Sequence, residues 1–170
     1  HKVKDSKFYG SISNVSSRHD AEDFIQKIKD QFSDATHNVN AYRIGSDDNI
    51  IEYADDDGEP SGSSGPPILD SIKGEGLSNT VIVVSRYFGG TKLGIGGLIR
   101  AYGDTARKAI KESGKRKLKL LYQIRVVGSY ALVGDILGQV ESYSFKIINT
   151  KYYNQGISVK FLIYPDIFEN

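Results

Sequence analysis

Cysteine is absent from the 170-residue chain. That excludes disulfides, thiolate nucleophiles and thiolate zinc sites together. No run approaches the ~20 apolar residues of a membrane-spanning helix. The first residues, HKVKDSKFYG, hold no apolar stretch of the signal-peptide kind. Methionine does not stand at position 1, so the numbering is expected to begin inside the natural chain. A soluble, cytoplasmic protein is the expectation. No histidine pair has metal-ligand spacing, no serine, histidine and acid share a nucleophile context, and no internal repeat or low-complexity tract occurs.

What is present is modest in amount but uneven in placement. Hydrophobic residues make up 39%, with 11 Tyr and 7 Phe, enough for packed cores in one large or two small domains. The net charge of +1 conceals an asymmetry: residues 1–60 carry 7 Lys/Arg against 13 Asp/Glu. Residues 86–125 carry 11 against 2, a local field that whole-chain charge hides. A solvated basic helix face would produce the same count.

Periodicity predicts strands over 8–15, 39–45, 49–54 and 80–88, the last a β-branched run expected at the sheet centre. An SDD turn (46–48) is expected to join the second and third as a hairpin. SSRHDAEDFIQKIKDQF predicts a helix: Ser17 and Asp20 form a capping box, and Ala21, Phe24, Ile25, Ile28 and Phe32 share one face. DDDGEPSGSSGPP (55–67) is turn and loop chemistry throughout. Gly96 to Ser113 predicts a second helix with Leu98, Tyr102, Thr105, Ala106, Ala109 and Ile110 inward and Gly114 as its stop. KRKLK (115–119) is a basic joint, so domains are expected at 1–114 and 115–170. The second reads β-α-β-β, with strands over 118–128, 144–153 and 156–165 and a helix over 130–143. Such a unit buries its helix against one sheet face.

RYFGGTKLGIGGLIRAYG (86–103) is the densest functional signal. Gly89, Gly90, Gly94, Gly96 and Gly97 sit among Arg86, Lys92 and Arg100. It matches neither a dinucleotide fingerprint nor a Walker loop. A strand, a glycine loop and a helix start beside cations instead make a candidate anion site, since free amides and partial positive charge meet there. The alternative is glycine serving only close packing. Asp56, Asp57 and Glu59 in DDDGEPSG are candidate ligands for a hard cation, or simply members of an acidic turn. ATHNVNAYRIG contributes His37, Asn38 and Arg43; a lone histidine before a strand serves structure as readily as chemistry.

These three stretches in this order, ATHNVNAYRIG, YADDDGEPSGSSGPPIL and VIVVSRYFGGTKLGIGGLIRAYGDTA, closely resemble the IMPACT family in its bacterial, YigZ-like form. The resemblance covers nearly the whole chain. It departs at Val39, where family members often have cysteine, and at GSSG (62–65), where G-T-A-G is common. The resemblance implies an α+β protein: a βα-sandwich of the ribosomal-protein domain-2-like type, then a ferredoxin-like domain similar to the last domain of elongation factor G. It implies a functional surface joining Arg86, Lys92 and Arg100 to His37, Asn38, Asp56, Asp57 and Glu59; no cofactor is expected. Eukaryotic relatives regulate translation through a further N-terminal domain that this sequence does not contain. The expected function is therefore a nonenzymatic factor binding RNA or the ribosome through the cationic loop, with Tyr87, Phe88 or Tyr102 stacking on bases if exposed. Two alternatives stay open: a metal-dependent enzyme acting on a phosphorylated small molecule or nucleotide through Asp56, Asp57 or Glu59, and a regulator that binds a translation-factor or regulatory protein.

Overall fold

The computed structural model describes residues 1–46 and 49–168. The chain is an α+β protein of two compact units, His1–Lys115 and Arg116–Asn170. Among the described residues no helix is long and apolar enough to cross a membrane.

The first unit runs β1 (Lys2–Val3), β2 (Ser6–Asn14), α1 (Arg18–Gln31), β3 (His37–Ile44), β4 (Ile51–Asp55), α2 (Gly65–Gly74), β5 (Thr80–Tyr87) and α3 (Ile95–Ser113). Its five strands lie in the order β1-β2-β5-β3-β4 with antiparallel neighbours. The β-branched run is therefore central, and Val81 to Val84 are fully buried. A strand covered on both faces needs a continuous apolar run rather than alternation. The pleat sends Phe8, Val39, Ala41, Ile82 and Val84 toward α2 and α3. It sends Val15, Tyr42, Ile44 and Val81 toward α1.

α1 carries the expected capping box: Asp20 N–H donates to the Ser17 hydroxyl, and Asp20 accepts in return from the Ser17 amide. Hydrogen bonds, the Ser16 hydroxyl's foremost, hold the Asp20 carboxyl down at about 2. The inward face expected for α3 is buried as read. Of the SDD turn, Asp47 and Asp48 lie outside the described residues; the strands it joins pair from Asn40↔Asp55 to Ile44↔Ile51.

One expectation fails in the first unit. Residues 65–67 are not loop, because α2 begins at Gly65 and carries its prolines at the first helical positions. Proline is tolerated there, since the amide it lacks would have had no intrahelical acceptor.

The second unit runs β6 (Tyr122–Ser129), a 3-10 turn (Tyr130–Leu132), α4 (Val133–Tyr143), β7 (Lys146–Tyr153), β8 (Gly156–Ile163) and α5 (Pro165–Phe168). The sheet order is β6-β8-β7, antiparallel throughout. Val140 of α4 packs with Ile157, Val159, Phe161 and Ile163 of β8. β6 starts four residues later than the apolar pattern suggests. Pro165 opens a short helix instead of closing β8, because it offers no amide to a ladder.

Candidate anion-binding site

At one end of the first sheet, β3 begins where β5 finishes: His37 is the register partner of Arg86. The loop before α2 and the start of α3 close over this end. Between them is a cavity of about 400 Å³ whose lining includes His37, Glu59, Arg86, Phe88, Lys92 and Gly94.

Arg86 is not a free cation. Its residue is 4% exposed. One guanidinium nitrogen donates to Glu59 Oε1 at 2.5 Å and another to the Ser6 hydroxyl at 3.3 Å. The guanidinium carbon lies 5.6 Å from the Phe8 ring centre and 5.2 Å from that of Phe88. Glu59 Oε1 also accepts the Tyr102 hydroxyl at 2.7 Å. Burial, reinforced by the bond to Glu59, pushes the Tyr102 phenol far above its usual range. Tyr102 is fully buried, so it offers no stacking surface. The expected role of Arg86 as a direct phosphate ligand gives way to one as a neutralised internal brace.

His37 is held by the same group of residues. Its Nδ1 lies 2.7 Å from the Asp57 main-chain oxygen. A carbonyl only accepts, so Nδ1 carries the proton. The other nitrogen, Nε2, lies 4.0 Å from Glu59 Oε2.

The acidic loop organises backbone rather than gathering around one point. Asp56 accepts from the amides of Gly62, Ser64 and Gly65 and from the Ser64 hydroxyl. These bonds supply α2 with the acceptor its own cap residue does not provide. Burial opposes ionisation of Asp56, but those bonds outweigh it and hold the carboxyl below its ordinary value. Asp57, in the left-handed region at φ 45, accepts from the Asn38 amide at 2.6 Å and from Lys29 at 2.9 Å. Its carboxyl too is held low, against burial, by these partners. Asn38 bonds the Phe32 carbonyl and the Ser85 hydroxyl. Among the described residues no group of three or more His, Cys, Asp or Glu could hold a metal ion, so Asp56, Asp57 and Glu59 do not assemble as metal ligands.

Arg43 does not join the site. It lies six residues along β3 from His37, about 20 Å at strand rise. There it pairs with Glu52 at 3.0 Å and bonds the Leu77 carbonyl. Alternation of residue types carries no information about which end of a strand faces a ligand.

The glycine loop is pinned at its start. The Phe88 amide donates to the Thr36 hydroxyl at 3.0 Å, and the Gly89 amide reaches the Ser6 hydroxyl at 3.4 Å. A side chain at Gly89 would fall on the Asp5 backbone. Gly94, at φ 73, is the cap residue of α3 and has no side chain to bond the first turn. Gly94 and Ile95 line the cavity beside Lys92, but Gly96, Gly97 and Arg100 do not. Arg100 is exposed, one turn on, with its guanidinium over the Gly96 backbone. The three expected cations therefore take three separate situations: Arg86 buried and paired, Lys92 at the cavity, Arg100 outside it. Ser6 and Thr36, which fasten the loop, are single polar residues with no signal in their sequence neighbourhood.

Residues 4–110 match the family model of the Impact N-terminal domain. The chain is 41% identical over 155 residues to the IMPACT family member YvyE of Bacillus subtilis, covering 91% of this chain and 70% of that protein. It is 32% identical over 154 residues to the IMPACT family member YigZ of Escherichia coli, covering 88% of this chain and 74% of that one. A solved crystal structure of a hypothetical protein superposes with a TM-score of 0.70 at 27% identity, over 96% of this chain and 79% of the other.

Proposed function

This chain belongs to the IMPACT family, and from that membership we propose that it is a nonenzymatic, cytoplasmic, translation-associated factor that holds a phosphate of RNA, free or ribosomal, at the start of α3. The observation that carries this reading is the cavity in which Lys92 stands beside the uncapped first turn of a 19-residue helix. A helix start carries roughly half a positive charge, and its first amides point outward as donors. The Arg86 charge is cancelled by Glu59. Positive potential at the cavity thus comes from Lys92 and the helix end.

Lys92 has no carboxylate partner among the described residues, so its ammonium is available to an outside anion. The 11-against-2 excess of basic residues over 86–125 supplies longer-range attraction for a polyanion. The acidic residues of the loop do not oppose this, because each is engaged with an internal donor.

Titration of a short RNA across a salt series tests the reading. Affinity is expected to fall as salt rises, because neutralised phosphates release counterions. Lys92→Ala is expected to weaken binding and to reduce the salt slope by about one. Binding that ignores salt, or an unchanged Lys92→Ala variant, overturns the assignment.

A further inference from the structure

The opposite face of the same sheet end holds a second cavity, of about 520 Å³, lined by Asp5, Lys7, Tyr9, Phe32, Tyr87 and Phe88. Its composition follows from the pleat of β2. Phe8 points toward α3 and meets Tyr102 edge-on, so Lys7 and Tyr9 point to the α1 side. α1 stops at Gln31, and the next residue, Phe32, stacks on Tyr9 at 5.9 Å and 26°. Tyr87 meets Tyr9 edge-on at 5.8 Å, and its hydroxyl is fastened to Asp34 at 2.6 Å. The rings are thus held in set orientations, yet Tyr9 remains 45% exposed.

Phe88 joins the two cavities. It lines both, and it is 44% exposed. Its amide is tied to Thr36, and the Arg86 guanidinium lies over its ring.

Lysines stand around this end, with Asp5 and Asp34 among them. Lys7 sits directly opposite Lys2 on β1, and both are exposed. Like charges in that register are destabilising unless something negative lies between them. The Lys4 ammonium reaches the Lys92 carbonyl at 3.5 Å, bringing a further charge beside the first cavity. Both acids hold hydroxyls in place: Asp5 accepts from Thr91 at 2.8 Å, and Asp34 accepts from Tyr87.

We infer that the cleft of Tyr9, Tyr87 and Phe88 is a base-stacking subsite, which takes an unpaired nucleobase of the same strand whose phosphate lies at Lys92. This rests on the phosphate reading above and narrows its ligand to single-stranded RNA. Exposed rings beside lysines suit that ligand because every base has a face to stack, whereas a duplex hides those faces. Phe88 lets one strand pass from the phosphate cavity to the stacking cleft.

The test compares a base-bearing RNA pentamer with an abasic pentamer of equal charge. The base-bearing pentamer is expected to bind the wild type about tenfold more tightly. Tyr9→Ala, which lines the stacking cleft and not the phosphate cavity, is expected to lose about that factor on the base-bearing pentamer, with the salt slope and the abasic affinity unchanged. A 2-aminopurine flanked by uridines provides a readout on unaltered protein: its fluorescence is expected to be quenched on binding. Equal affinity for the two pentamers, or undiminished fluorescence, overturns the stacking cleft and leaves the phosphate site standing. Failure of the wild type to bind either pentamer overturns both.

Discussion

The Arg86 guanidinium meets the Glu59 carboxylate at 2.5 Å, with both side chains at most 5% exposed. This pair connects the end of the central strand to the loop before α2, and through Tyr102 to α3. Removing one member leaves the other charge buried without compensation. Glu59→Gln is expected to cost about 3–5 kcal/mol, read as a lower urea midpoint. The double variant Glu59→Gln/Arg86→Met is expected to lose less than the sum of the single changes, since no orphan charge remains. Strict additivity would show that the two side chains act independently.

Acid stability provides a second test. Asp56 and Asp57 are held below the ordinary carboxylate range, and Asp20 at about 2. A depressed folded value means that their contribution is fully present above the unfolded value of about 4 and is lost as pH falls through the folded values. Urea midpoints are therefore expected to stay level above about pH 5 and to decline below about pH 4. Asp56→Asn is expected to be less stable than wild type at pH 7, with the gap closing in acid. A gap independent of pH would separate Asp56 from this behaviour.

Two glycines of the 86–103 stretch, one in the loop and one in α3, are expected to respond in opposite directions. Gly89→Ala drives a side chain into the Asp5 backbone and is expected to cost about 1–3 kcal/mol. Gly96 lies within α3, and the nearest atom to an added Cβ is the flexible end of Arg100, at 3.6 Å. Gly96→Ala is expected to raise stability by about 0.5–1 kcal/mol. Thermal melts of the two variants, run side by side, check both signs.

The exposed Arg100 separates local contact from general charge. Standing outside the cavity lining, it is expected to contribute by screened attraction alone, so Arg100→Ala lowers RNA affinity by no more than about threefold at 0.15 M salt. A loss as large as that of Lys92→Ala would put Arg100 on the ligand.

Local order was open to inspection in the chain itself. The capping box of Ser17 and Asp20, the inward face of α3 and the central position of β5 all follow from neighbours within a few residues. α2 was hidden because its prolines mark turns and helix starts alike, and only a following apolar face distinguishes them. In the candidate site, the sequence brings Lys92 and the capping Gly94 to notice. It groups Arg43 and Arg100 with them merely because they are cations in the same motifs.

Sequence by itself determined most of the elements, their order and the family, because backbone preference and hydrophobic period act over short spans. Tertiary structure alone decided which charges are free. The Glu59–Arg86 bond crosses 27 residues, and the Ser6 contacts with Arg86 and Gly89 cross 80 and 83. Charge availability depends on distance and burial, and those are properties of the folded sheet end where Arg86 is neutralised and Lys92 is left facing solvent.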